Sequence, residues 1–192
     1  MASPSFTVGA ACVIERDDGS ILLVRLVYRN GWGLPGGLIK RNEDVATCAR
    51  REVAEEIGIE VELVSEPAVV VDSPPQRIDV VYRARPAPGV DAADAHAKSV
   101  EIREVRWFPA EDLPPLQGEA VTALMALASS ALGQEGTAPL GTTPTAAGVP
   151  SPDSDPGSDS DSAPDRPDGA TLRRAAEQAA VQAEARRRDR VG

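Results

Sequence analysis

At 192 residues the chain is long enough for one ordinary domain and a tail. It carries 20 Lys and Arg against 30 Asp and Glu, a formal charge of −10, which argues against a general basic surface for stable nucleic-acid binding. Cys12 and Cys48 are too few for a disulfide framework, no apolar run reaches the length of a membrane span, and the opening MASPSFTV lacks the basic and apolar regions of a signal peptide, so a cytoplasmic location is the default expectation.

Residues 6–15 are apolar and rich in strand formers, Asp17-Asp18-Gly19-Ser20 is a turn signal, and residues 21–28 read as a second strand, which predicts a hairpin. Asn30-Gly31 marks another turn before a short stretch, 32–34. Residues 44–57 can form one helix: Asn42 is the expected N-cap, Glu43 and Asp44 suit its positive end, and Gly58 stands where a left-handed residue ends a helix. Residues 59–65, 68–72 and 77–85 follow as strands, 86–97 as a Pro/Gly/Ala/Asp loop, and 104–108 as a last short strand. Glu111-Asp112-Leu113 can open a helical turn, and 118–132 reads as a helix with apolar Val121, Leu124, Met125 and Leu127. Strands with two packing helices predict an α+β sandwich.

Beyond residue 132 the composition changes. Residues 134–169 are rich in Gly, Pro, Ser, Thr, Ala and Asp, with one arginine against seven acids and only Leu140 and Val149 as large apolar residues. Such a segment cannot bury enough surface to offset chain entropy and is expected to be disordered. Residues 170–192 are Ala/Arg-rich, with six arginines against three acids. Their helix propensity is good, but an isolated helix of that length is marginal. A solvated helix, an interaction segment and an Arg-bearing tail paired with the acidic linker all remain open. On this reading the folded domain is 5–133, followed by a linker, 134–169, and a possible helix, 170–192.

The densest chemistry lies in residues 37–59, GLIKRNEDVATCARREVAEEIGI. On a helix, Glu52, Glu55 and Glu56 share one face and span roughly 100° of it. Val45, Ala46, Ala49, Val53 and Ile57 form a stripe of about 120° that overlaps that sector, with Glu52 and Glu56 falling beside it. Carboxylates placed against an apolar stripe lose water and repel one another, so they call for cations. Mg²⁺ is the natural candidate, because it takes hard oxygen ligands and bridges carboxylates to phosphates. Arg51 can orient Glu55 or Glu43 with its planar fork. A surface helix laced with Glu–Arg pairs is the ordinary alternative.

In order, Gly37, Glu43, Arg51, Glu52, Val53, Glu55, Glu56, Gly58 and Ile59 match all nine specified positions of the pattern G-x5-E-x7-R-E-U-x-E-E-x-G-U, where U is aliphatic. The segment resembles the signature box of the Nudix hydrolases, and the resemblance covers about residues 5–133. It implies an α/β/α sandwich with a mixed β-sheet, and a Mg²⁺-dependent enzyme, with Mn²⁺ as a substitute, that hydrolyses a nucleoside diphosphate linked to another moiety X. It further implies that Glu52, Glu55, Glu56 and the Gly37 carbonyl hold metal, with Glu43 and Arg51 supporting them. Trp32 to Gly37 is similar to the segment that precedes the box in the family. Asn42 departs from the glycine often found there, but asparagine tolerates a left-handed conformation best among the other residues. Lys40 and Arg41 could serve phosphates or simply face solvent.

Outside the box the resemblance points to a further glutamate that binds metal or acts as general base. Glu101 is favoured over Glu104, and Glu52 is the other candidate base. Trp32 and Trp107 could stack on a base, but core packing is the commoner use. His96 and the two cysteines are expected to be bystanders. Pro74 and Pro75 stand near where ADP-ribose enzymes of the family often carry a proline, a weak pointer. ADP-ribose and a modified (d)NTP both remain open as substrates. The alternative class is a Nudix-fold nucleotide-binding regulatory module with little catalysis, which is expected to have lost box glutamates that this chain keeps. The oligomeric state is left open.

Overall fold

Side-chain alternation along two strands, β1 (Thr7–Glu15) and β2 (Ser20–Leu26), builds a core on each face of one sheet. Ala10, Cys12, Ile14, Leu22 and Val24 pack on one side, and Val13, Ile21 and Leu23 on the other. The computed structural model describes residues 5–72, 75–135 and 169–189. Its sheet has seven strands, completed by β3 (Gly36–Leu38), β4 (Val61–Leu63), β5 (Ala68–Asp72), β6 (Arg77–Pro86) and β7 (Ile102–Pro109). The path runs β4-β6-β1-β2-β7, with β3 beside β1 and β5 beside β6. β1 and β6 are parallel and the other pairings antiparallel, so the sheet is mixed.

Three helices cover the faces. α1 (Val45–Ile57) buries Cys48, Ala49, Val53 and Ile57 against one. α2 (Gly118–Glu135) and α3 (Ala170–Asp189) cover the other, where Val121, Leu124, Leu127 and Leu172 join the second core. The expected α/β/α sandwich is present. No helix among the described residues is long and apolar enough to cross a membrane.

The structure corrects the sequence reading in four places. Asp44, not Asn42, caps α1: its Oδ1 accepts the Thr47 N–H at 3.0 Å. Asn42 instead takes the left-handed conformation, φ 64°, as its side chain permits. The glycine pair falls outside every expected strand but forms β3, because β1 supplies a partner edge for Gly36 and Gly37. Glu111–Leu113 forms a turn rather than the start of a helix.

The fourth correction is the end of the folded unit, expected near residue 133. α3 returns to the sandwich, with Leu172, Ala175 and Ala179 fully covered and Ala176 and Ala183 packed beside them. These residues recur at helical spacing. The stripe is built mainly of alanine, so a search for large apolar residues passes over it. Residues 136–168, and with them most of the expected disordered linker, lie outside the described residues, as does Pro74.

Candidate active site

The site is assembled where β3 passes the start of β6 and the last turns of α1. The Gly36 N–H donates to Glu56 Oε2 at 2.9 Å, which draws this carboxylate under the glycine pair. A Cβ on Gly37 would come within 2.6 Å of the Glu52 carboxylate oxygens, so the glycine is what lets Glu52 approach the strand. Glu52 and Glu56 therefore lie side by side against β3, one turn apart on α1.

Glu101 reaches them by a different route. The last carbonyls of α1 have no partner within the helix. The loop before β7 satisfies them: His96, Lys98 and Ser99 donate their N–H groups to Ile57, Glu56 and Glu56 at 3.0, 2.9 and 3.4 Å. This docking carries Glu101 to the rim, where Tyr28 Oη donates to its Oε2 at 3.2 Å. Glu104 lies further along β7, paired with Arg106 at 2.9 Å.

Arg51 organises the outer carboxylates. Its Nε and Nη2 donate to the two oxygens of Glu43 at 2.6 and 2.8 Å, and its Nη1 donates to Glu52 at 2.7 Å and Glu55 at 3.0 Å. These bonds, with the Lys40 N–H on Glu43, hold the Glu43 carboxyl down at about 2. Glu55 also pairs with Lys40 at 3.4 Å and is 54% exposed against 15% for Glu52. The structure thus brings together Gly37, Glu52, Glu56 and Glu101, and places Glu55 outside that group.

The four line a cavity of about 460 Å³. Leu34, Val70, Val81, Ala120 and Ala123 give it an apolar lining. Polar groups come from two ion pairs, Arg77–Asp79 at 2.7 Å and Arg29–Glu119 at 2.8 Å, and from Gln117. Sequence reasoning missed these residues. The faint signal was Arg77 and Asp79, charged at a two-residue interval at the start of β6. Neither tryptophan lines the cavity: Trp32 packs edge-on to Phe108 at 4.8 Å, and Trp107 donates to the Ala92 carbonyl at 3.1 Å. His96 bonds back to Asp94, and both cysteines are buried thiols; burial pushes Cys12 up to about 12.

Burial raises the Glu56 carboxyl to about 7 against the Gly36 hydrogen bond, and the charges of Glu52, Glu101 and Glu55 push the same way. The donor set fits a hard divalent cation: paired carboxylates, a third lining the same cavity, and a backbone cradle that a side chain would fill. Among the described residues no three carboxylate, His or Cys side chains already stand in chelating positions, consistent with like charges keeping apart.

In metal-free protein the Glu56 shift has a definite sign. Below its ordinary value of 4.5 the group is protonated in both folded and unfolded chains and costs nothing. As pH rises to about 7 the unfolded chain ionises first, so stability falls. Above that the full penalty applies, about 3 kcal/mol. Urea melts in chelator should show wild type losing stability relative to Glu56→Gln between about pH 5 and pH 8. Parallel pH profiles for the two proteins would contradict it.

With this geometry in place, the NUDIX domain family matches residues 5–126. The chain belongs to the Nudix family. A MutT-like protein of Streptomyces ambofaciens is 33% identical over 116 residues, 60% of this chain and 72% of that protein. The CMP-5'-(N-acetyl-N-hydroxy-3-aminopropyl)phosphonate hydrolase of Streptomyces rubellomurinus is 33% identical over 129 residues, 59% of this chain and 58% of the relative. Among solved structures, a MutT NUDIX hydrolase from Burkholderia pseudomallei is 29% identical with a TM-score of 0.53, covering 65% of this chain and 99% of its own. These relatives make this Nudix protein a pyrophosphohydrolase. α3 lies beyond the matched stretch.

Proposed function

We propose that this Nudix enzyme is a Mg²⁺-dependent hydrolase of a nucleoside diphosphate linked to another moiety. The observation that carries the reading is the convergence of Glu52 and Glu56 on Gly36 and Gly37 inside the cavity. Glu52, Glu56 and the Gly37 carbonyl would hold the metal. Glu55 joins them only by leaving Arg51 and Lys40. A bound divalent cation supplies a Lewis acid for a phosphoryl oxygen and activates the attacking water. Glu101, which lines the same cavity, would accept a proton from the attacking water, with Glu52 as the second candidate base. Arg51 fixes Glu52 by charge-assisted hydrogen bonding, which restricts where that carboxylate points. The cavity offers apolar lining residues and the polar groups of the Arg77 and Arg29 pairs, and about 460 Å³ suits a nucleotide-sized ligand. The relative that hydrolyses a CMP-linked phosphonate supports a nucleotide carrying a second group.

The test is a panel of (d)NTPs, 8-oxo-dGTP, ADP-ribose, dinucleoside polyphosphates and CMP-linked phosphonates, with Mg²⁺ or Mn²⁺. Cation-dependent cleavage of at least one nucleoside diphosphate derivative is expected; nucleotide binding with no turnover would instead assign a recognition module.

The same cluster predicts metal-linked stability. Millimolar Mg²⁺ should raise Tm by binding the folded state alone. Glu52→Gln/Glu56→Gln should remove most of that rise in a differential scanning experiment. An undiminished rise would place the ion elsewhere.

A further inference from the structure

The loop between β7 and α2 cannot satisfy itself. Residues 113–117 read LPPLQ, and Pro114 and Pro115 have no N–H to offer. Its carbonyls must find donors elsewhere, and α3 supplies them. Gln182 Nε2 donates to the Pro114 carbonyl at 2.9 Å and the Leu113 carbonyl at 3.4 Å, while its Oε1 accepts the Leu116 N–H at 2.8 Å. One turn later Arg186 donates to the Leu116 carbonyl. Two side chains of α3 thus hold the carbonyls of Leu113 and Pro114 and both backbone polar groups of Leu116.

The loop in turn holds the strip that leads into the glycine pair. Trp32 donates its N–H to the Pro115 carbonyl at 2.9 Å, and Gln117 donates its N–H to the Trp32 carbonyl at 2.7 Å. The Gln117 side chain reaches the Gly31 carbonyl at 3.4 Å and lies against Gly33. Gly33, Leu34 and Gln117 line the cavity, and Gly36 bears the N–H that binds Glu56. A continuous series of hydrogen bonds therefore runs from α3 to the cavity wall.

We propose that Gln182 and Arg186 are positioning residues for substrate: through residues 113–117 they set residues 31–34, and so the part of the cavity lined by Gly33, Leu34 and Gln117. The proposal rests on that cavity being the substrate site. Neither residue touches the reacting groups, whose carboxylates are carried by α1 and the loop before β7. Their loss should therefore weaken binding far more than chemistry.

The experiment uses the full chain carrying Gln182→Ala/Arg186→Ala, assayed well below its Tm. Amide exchange at residues 31–34 and 116–117 should rise by about tenfold, while that of α1 stays near wild type. For the panel nucleotide that wild type turns over fastest, KM should rise by about fivefold or more with kcat within about twofold. Arg188→Ala, which removes only the exposed pair with Glu184, should leave both readouts unchanged. A lower Tm with wild-type exchange at 31–34 and wild-type KM would overturn the proposal and leave α3 as a staple. If the double variant does not fold, Gln182→Ala alone, which keeps Arg186 and the apolar packing, is read the same way. Should no panel nucleotide be cleaved, the functional reading fails by itself and the exchange result still decides whether α3 sets the 31–34 strip.

Discussion

Glu56→Gln is expected to lower kcat by about a hundredfold or more, because metal-ion and proton-transfer contributions are each of that order. The shape of the side chain is kept. Its amide can still accept from the Gly36 N–H, whose bond to Glu56 is 2.9 Å in the wild type. Folding should survive, and the metal-free variant should be more stable than wild type above neutral pH, since a buried charge is gone. Glu52→Gln should act in the same direction. It also replaces a charge-assisted bond of Arg51 with a neutral one, so its effect includes some loss of order in Glu43 and Glu55. Steady-state kinetics at saturating Mg²⁺ decide the matter. Near wild-type turnover by a folded Glu56→Gln enzyme would remove Glu56 from the metal set.

Ending the chain at residue 135 is expected to destabilise the enzyme severely. The truncation removes Leu172, 1% exposed, with Ala175 and Ala179, and uncovers the face of α2 they pack on. A fully buried leucine is worth roughly 1.5–3 kcal/mol. Leaving the 113–116 backbone without its donors costs about 1–3 kcal/mol more. A loss of about 3–6 kcal/mol is a large share of the roughly 5–15 kcal/mol of a whole domain. Tm should fall by about 10 °C or more, with increased aggregation. A truncated protein that melts within about 2 °C of full length would show that α3 contributes nothing to the core.

Part of the site could be read from the chain because Arg51, Glu52, Glu55 and Glu56 of the box fall on one helix. Glu52 and Glu56 fall beside the apolar stripe of Val45, Ala49, Val53 and Ile57, and those two are the carboxylates drawn into the cavity. Glu55 lies at the edge of the acidic sector away from that stripe. Its 54% exposure and its pairs with Arg51 and Lys40 follow from that angle. Periodicity held these positions; treating the three glutamates as one set hid the difference between them.

Other features depend on contacts between distant segments. Glu101 is 45 residues after Glu56 and arrives only because its loop caps the end of α1. Apart from Arg77 and Asp79, which alternate along β6, the polar residues Arg29, Gln117 and Glu119 come from segments that no spacing rule links to them. β3 needed β1 as a partner before its glycines could be a strand. α3 was undervalued because alanine contributes little hydrophobic signal, although it allows close helix approach at the 172, 175, 179 spacing.

The most direct test of the account is hydrolysis in ¹⁸O-labelled water, followed by ³¹P NMR, for the panel nucleotide that reacts fastest. The account predicts Mg²⁺-dependent cleavage of a P–O–P bridge, with one ¹⁸O entering a single phosphate of the products and the reaction nearly abolished in Glu56→Gln. Cleavage that leaves the P–O–P bridge intact, or equal label incorporation without added metal and in Glu56→Gln, would contradict it.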